Sequence, residues 1–538
     1  MKTYQKFFLI LIICLAAALR FYNLGGNPPS LNWDEASIGY NAYSILKTGR
    51  DEFGEKLPLA FRSFGDYKPP VYFYLDVPAI AFFGLSEFAV RFPSALLGTL
   101  TVLMVYFLVK ELFGNWRLSF VTSLLLAISP WHLQFSRGAF EANIALFFII
   151  LGTWFFFKGR KNAWFFILSV LAFVLALYSY HAARVFVPLL GIGLLVFAFE
   201  KKWFFKKEVI LAIFLGFILV LPIFTFIIGG EATRRFKGTS LFEEQTPILA
   251  RSKIQLDDDL ASGFSFGRFI HNRRLVYGLF MIKNYLSHFE PNFLFITADA
   301  ARHHAPQVGL LYWIEFPLLI LGIYFLIKDR PRFCQIIFWW LLVAPVAAAP
   351  TRETPHAIRS FFLLPSLQIF IAYGILRTYE ILKENKRRIF LILIFTFYIL
   401  HFTFYLHMYH VHMPLEYSKF WQYGYKEWVK FVVANKEKFD RVVISQSLEQ
   451  PQIFLLFYGK IDPQKYLEAG GTKMLDFGPD KYKFDKFEFG KIPNDRRQEM
   501  VGKVLYIGAP SEFATTEGKP VHIKALNGEE VVRISESF

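Results

Sequence analysis

The chain has 538 residues, 54% of them hydrophobic and 19% aromatic, and its 59 Lys and Arg outweigh 43 Asp and Glu for a net charge of +16. Apolar runs of about 16–22 residues recur along it, which excludes a soluble globular enzyme and reads as a polytopic α-helical membrane protein. Two cysteines, Cys14 and Cys334, both in or beside apolar runs, exclude a disulfide-built scaffold.

The first apolar run follows Lys2 and Lys6 and passes Ala16-Ala17-Ala18, a stretch with the look of a signal-peptide cleavage site. Because ten more runs follow, it reads as an uncleaved signal anchor. The predicted spans are 7–22, 91–109, 118–135, 141–157, 163–180, 184–199, 208–228, 309–327, 333–350, 359–376 and 389–409, eleven in all. Residues 70–86 are apolar but short and contain Asp76 and Pro78, so they are predicted as an interfacial helix. With the N-terminus inside, the cytoplasmic segments hold 19 Lys and Arg, whereas the short external loops hold three, Arg137, Arg184 and Arg352. Counting 70–86 as a span would reverse that bias, so the positive-inside rule favours eleven spans and an external C-terminus. The positive charge is then topology signal and a surface for anionic lipid, and it calls for no nucleic acid.

The expected organisation is a transmembrane domain over 1–410 and an external soluble α/β domain over 411–538. Two external loops lie within the membrane part, 23–90 and 229–308. In the tail, "EYSKFWQYGYKEWVKFVVANKE" has helical spacing, "DRVVIS" and "KVLYIGA" read as buried strands, and "VHIKALNGEEVVRIS" holds an Asn-Gly hairpin.

Polar clusters gather on the external side: Asp34-Glu35, Asp66-Tyr67-Lys68, Arg91, Arg137 with Glu141, His181 with Arg184, Arg302-His303-His304, and His356 with Arg359. Singly, a basic residue at a helix end is more often a snorkelling anchor than a ligand. Together they bring carboxylates and cations to one rim, which suits a general base and an anionic leaving group such as a lipid phosphate. No Walker-type glycine loop precedes a helix, so no nucleotide is expected. No His/Cys pattern has zinc spacing, and the adjacent His303 and His304 are poor partners for one metal. No cofactor is required; a divalent metal is compatible with this reading but has no ligand pattern in the sequence.

"NWDEASIGYNAYSILKTG", "YKPP" and "SEFAVRFPSALLG" resemble the GT-C glycosyltransferases of the protein O-mannosyltransferase and lipid A aminoarabinose transferase branch. "SRGAFEANIALFF", "YSYHAARVFVPLL", "RHHAPQVGLLYWIEFPLLILG" and "PHAIRSFFLLPSLQI" follow in matching order over about residues 1–410. The resemblance implies a polyprenyl-phosphate-linked sugar as donor. It implies Asp34 as catalytic base with Glu35 beside it, and Glu141 as a second external acid. Lys68, Arg91 and Arg359 would contact the donor phosphate. Tyr67, Arg137, His181, Arg184, Arg302, His303 and His356 complete the candidate substrate-binding set. Where aminoarabinose transferases carry a glutamate before Lys-Pro-Pro, this chain has Tyr67, which speaks against that donor and against that branch's metal site.

The acceptor hydroxyl would belong to a protein, a lipid or a wall polymer, and the enzyme would lie in the plasma membrane with its active site external. Two other readings stand beside this one. A transporter or flippase of lipid-linked saccharides would need polar residues at the bilayer midplane. A glycan ligase would use a lipid pyrophosphate.

Overall fold

The computed structural model describes residues 2–228, 240, 247–472, 482–492, 502–513 and 520–537. Of the loop expected at 229–308, residues 229–239 and 241–246 lie outside the described residues. The first ten helices are α1 (Thr3–Phe21), α2 (Trp33–Thr48), α3 (Val71–Phe83), α4 (Glu87–Phe113), α5 (Trp116–Ile128), α6 (Pro130–Arg137), α7 (Glu141–Gly159), α8 (Trp164–Leu177), α9 (Ala183–Ala198) and α10 (Lys207–Ile228). Further apolar helices cover Glu315–Asp329, Cys334–Val343, Ser366–Ile381 and Glu384–His407. Each predicted span therefore meets a helix. Among the described residues, six helices are long and apolar enough to cross a membrane, and α5 with α6 would add a seventh. Others, including α8 and α9, are shorter and apolar.

The run predicted as one span at 118–135 is broken by 57° between α5 and α6. Its cause is local: Ser129 is extended (φ −60°, ψ 125°) ahead of Pro130, which has no N–H to continue the ladder. The helix expected from 309 starts instead at Glu315, whose Oε2 accepts the Tyr312 N–H at 2.9 Å and so fixes the first turn.

The chain divides into two compact units. The first comprises Met1–Ala16, Gly98–Leu133 and Ala142–Phe402, and it holds most of the apolar helices together with the more polar Pro247–Ala261 and Arg273–Ser287. Within it, Glu315–Asp329 crosses Ser366–Ile381 at Gly322 and Gly374, which face the Phe370 and Leu318 carbonyls. No side chain fits there, and the backbones approach as small residues in membrane helices allow. Near the ends of these two helices Arg377 forks onto Asp329, with Nε to Oδ2 at 2.6 Å and Nη2 to Oδ1 at 3.2 Å.

The second unit comprises Ala17–Leu97, Gln134–Glu141 and Thr403–Phe538. Its tail carries a six-stranded sheet of order β4-β5-β3-β6-β8-β7, with β3 (Arg441–Ser445), β4 (Tyr482–Phe484), β5 (Phe487–Gly490), β6 (Val504–Gly508), β7 (Val521–Lys524) and β8 (Glu530–Ser537). Central β3 runs parallel to β5 and β6, and the other pairs are antiparallel. Both faces of β3 and β6 are buried, so these strands read as continuous apolar runs. Val443, Val504 and Tyr506 pack with Ile492 and Phe513 on one face. Asn527-Gly528 turns β7 into β8, with Gly528 at φ 88°.

The tail touches the first loop inside this unit. Gln422 Oε1 accepts the Trp33 N–H at 2.8 Å, and Tyr458 OH lies 3.5 Å from the Leu31 N–H. Glu52 is buried and takes bonds from Asn41 Nδ2 and Thr472 Oγ1, both at 2.8 Å. Burial pushes its carboxyl up to about 7.

Candidate active site

The Asp34-Glu35 pair opens α2, and the cap of that helix decides how the two acids differ. Asn32 is the N-cap, and its Oδ1 accepts the N–H groups of Asp34 (2.9 Å) and Glu35 (3.1 Å). Glu35 Oε2 returns a bond to the Asn32 N–H at 3.1 Å, completing a capping box. That geometry turns Glu35 inward. Its Oε1 also accepts the Ala139 N–H at 2.9 Å, and Arg91 closes on it as a fork, Nε to Oε1 at 2.9 Å and Nη2 to Oε2 at 3.1 Å. Asp34, one residue earlier, keeps 45% of its side chain exposed.

Lys68 arrives from a different element. β1 (Phe61–Ser63) and β2 (Asp66–Lys68) form a hairpin whose turn, Phe64-Gly65, has φ 52° and 78°. Two positive φ values match the twist of a tight hairpin. Ser63 Oγ lies 3.3 Å from Ser37 Oγ on α2, and Phe61 stacks on Phe73 of α3 with centroids 4.0 Å apart. The hairpin is thereby pinned, and the end of β2 delivers Lys68 to Asp34. Lys68 Nζ donates to Asp34 Oδ1, and the lysine side chain is only 8% exposed. An accessible carboxylate and a buried ammonium thus meet just beyond the first apolar helix. A carboxylate so placed can take a proton, and the ammonium can hold an anion.

Arg91, expected to contact the donor phosphate, gives its donors to protein groups in this structure. Arg91 is fully buried, and all five of its N–H donors are spent: two on Glu35 and the others on Leu24 O (3.2 Å), Pro28 O (2.8 Å) and Ser30 O (2.6 Å). It fastens the chain leading into α2. Arg137, expected to touch substrate, is also buried and gives its guanidinium to Tyr409 OH and to the carbonyls of Leu19, Arg20 and Asn27. Both arginines act as clamps, because a buried guanidinium needs its donors filled. Glu35 is held with them, capping α2 and pairing with Arg91.

The remaining candidates divide by unit. Tyr67 precedes Lys68 on β2, and Glu141 begins α7. In the first unit, Arg184 Nε donates to Leu177 O at 3.4 Å beside His181 at the turn between α8 and α9. Arg302 sits in the turn leading to His303, and His304 Nδ1 bonds Ala305 O at 2.7 Å. His303 and His356 converge on Asp299, a residue the sequence reading did not single out. His303 Nδ1 lies 2.8 Å and His356 Nδ1 3.6 Å from Asp299 Oδ2, which also accepts the Ala357 N–H at 2.8 Å. Burial alone would raise the Asp299 carboxyl, but His303, His356 and the Ala357 N–H hold it down at about 2. Arg359 Nη1 donates to Thr351 Oγ1 (2.9 Å) and Arg352 O (2.6 Å). Among the described residues, Asp299, His303 and His356 are the one group placed to hold a metal ion. The signal for it in the sequence was the i, i+4 spacing of Asp299 and His303 alone.

A helical membrane protein with an acid–lysine pair beyond its first apolar helix and a mixed sheet in its tail has the fold of the GT-C membrane glycosyltransferases. The chain superposes on ArnT from Cupriavidus metallidurans, solved with bound undecaprenyl phosphate, with a TM-score of 0.55 and 14% identity over 98% of this chain and 97% of that one. It also superposes on the oligosaccharyltransferase AglB from Archaeoglobus fulgidus, solved with an inhibitory peptide and a dolichol-phosphate, with a TM-score of 0.51 and 15% identity over 85% and 64%. In sequence, the family described as dolichyl-phosphate-mannose-protein mannosyltransferase matches residues 67–226. A Bacillus subtilis protein named "Putative mannosyltransferase YkcB" is 26% identical over 157 residues, 29% of this chain. The matched segments cover 36% and 21% of the lengths of the curated relatives. The resemblance to GT-C glycosyltransferases read from the motifs is borne out.

Proposed function

We propose that this chain is a membrane glycosyltransferase that moves a sugar from a polyprenyl-phosphate donor to an acceptor hydroxyl on the external face of the plasma membrane. The observation that carries the reading is the Asp34–Lys68 pair, a half-exposed carboxylate against a desolvated lysine. Asp34 takes the proton of the acceptor hydroxyl as its oxygen bonds to the anomeric carbon. The bond from that carbon to the phosphate oxygen breaks, and the lipid phosphate leaves as an anion held by Lys68. Binding an anion draws Lys68 away from Asp34, which frees the carboxylate for the acceptor. Glu35 and Arg91 keep the start of α2 in place while this happens. The undecaprenyl phosphate bound by ArnT and the dolichol-phosphate bound by AglB both support a lipid monophosphate. A ligase using a lipid pyrophosphate is the second reading.

The test is direct. The purified full chain in lipid, given radiolabelled polyprenyl-phosphate sugars and membranes of the deletion strain, should label an acceptor without ATP. Absence of transfer from every monophosphate donor, with transfer from a lipid pyrophosphate, would favour the ligase.

A further inference from the structure

We propose that Asp299, His303 and His356 form a binding site for a divalent transition metal of the zinc type. The proposal stands on the geometry of the first unit and is independent of the transferase reading.

The donor set is one carboxylate and two imidazoles, the mixture that zinc takes. Ligand atoms bound to a tetrahedral zinc stand roughly 3.3–3.6 Å apart, given bonds of about 2.0–2.2 Å. Around Asp299 Oδ2 the two imidazole nitrogens lie at 2.8 Å and 3.6 Å, which brackets that separation. The histidine rings face each other with centroids 5.1 Å apart, and all the candidate ligand atoms fall within 4.8 Å of one another.

An Asp–His ion pair accounts for only part of this arrangement. It satisfies His303 Nδ1 and Asp299 Oδ2. It leaves His356 Nδ1 and Asp299 Oδ1 buried with no hydrogen-bond partner among the described residues. Two orphaned polar atoms in one small cluster are costly, and a cation held by His356 Nδ1 and by both oxygens of the Asp299 carboxylate removes the cost. With the ion present, Nδ1 of His303 faces the metal and its proton resides on Nε2.

The surroundings orient these ligands as outer partners of metal sites do. The Ala357 N–H fixes Asp299 Oδ2 at 2.8 Å. The His356 backbone N–H is held by His288 Nε2 at 3.1 Å, and His288 Nδ1 is anchored on Asn284 O at 2.7 Å. The three side chains are 11–12% exposed, so the site is shielded without being sealed. Three protein ligands leave a fourth position for water or an anion. The ion would bind the 299–303 turn to the 351–359 loop, the segment in which Arg359 is held by Thr351 and Arg352.

The experiment uses the full chain, purified in detergent without a histidine tag and stripped with chelator. Cobalt(II) is titrated in and followed by visible absorption, then displaced by zinc, with bound metal counted by mass spectrometry. One equivalent per chain is expected, with a visible band of tetrahedral or five-coordinate cobalt. Asp299→Asn, His303→Ala and His356→Ala should each weaken binding by at least the roughly 10–100-fold that an outer-shell change costs. His304→Ala, whose imidazole bonds Ala305 O instead, should bind as the parent does. A folded parent chain that takes up neither metal overturns the proposal without recourse to any variant. Unchanged binding in His356→Ala overturns it too, because the ion would then lie elsewhere.

Discussion

Asp34 and Glu35 are neighbours on the first turn of α2, yet Glu35 is sealed against Arg91 while Asp34 stands half exposed against Lys68. The Asn32 cap produces the difference by drawing Glu35 back onto its own N–H. Of two adjacent carboxylates, one is therefore architecture and the other is available for chemistry.

Asp34→Asn should separate these parts. It keeps the shape of the side chain and removes the base, so single-turnover transfer should fall on the order of 100- to 10,000-fold. Donor affinity should hold or rise slightly, since a negative charge near an anionic donor is gone. Transfer at close to the parent rate would remove Asp34 from its role.

Lys68→Ala should act on both stages. The phosphate is charged before and during the reaction, so donor binding and transfer should weaken together. Donor affinity and single-turnover rate measured on the same purified variant check this, and a pure rate effect with normal affinity would count against phosphate binding by Lys68.

Arg91→Lys should fail through folding. Lysine offers three donors where the structure uses five, and it cannot fork onto Glu35. The cation opposite Glu35 is kept, but each buried acceptor left without its donor costs about 1–3 kcal/mol, so thermal stability and yield in detergent should drop. Material that remains folded should bind donor with the affinity of the parent. A stable variant with a large loss of donor affinity would restore the phosphate role to Arg91.

How much of this was legible beforehand depends on the reach of each interaction. The capping box lies within four residues, Asn32 to Glu35, and the apolar runs announce their own helices. Lys68 is legible through the YKPP motif that carries the family resemblance. The partners of Arg91 are not legible, because they are the distant Glu35 and the carbonyls of Leu24, Pro28 and Ser30, and a carbonyl acceptor leaves no mark in a sequence. Asp299 was missed for the same reason: its second histidine, His356, comes from another loop. Strands β4 and β5 were also unforeseen, since "YKFDKFEFG" is short and charged and acquires its strand character by pairing with β3.

The eleven-span topology makes a prediction of its own from the 19-to-3 bias in Lys and Arg. A reporter fused at the C-terminus should score as external, and one placed after Lys206 as cytoplasmic. An internal C-terminus would overturn the eleven-span assignment and with it the charge argument that places the Asp34–Lys68 pair outside.

Glu52 gives the second unit a pH dependence whose sign follows from its burial. Its usual value of 4.5 is raised to about 7, chiefly by desolvation, against the opposing bonds from Asn41 and Thr472. Between those two values the folded chain holds a proton that the unfolded chain has lost. Stability from this group is therefore complete below about pH 4.5 and falls as pH rises through 7, by an amount on the order of 3 kcal/mol. Asp51 is also raised, to about 6, again by burial first, and adds a decline that ends sooner. In Glu52→Gln the amide keeps an acceptor for the Asn41 or Thr472 bond and does not ionise. Thermal unfolding of the parent between pH 5 and 8 should show a falling midpoint, and the variant should level off near pH 6 and exceed the parent at pH 8. A parent midpoint that rises across this range would mean that Glu52 is ionised in the fold, held by Lys68 and its hydrogen bonds more strongly than burial opposes them.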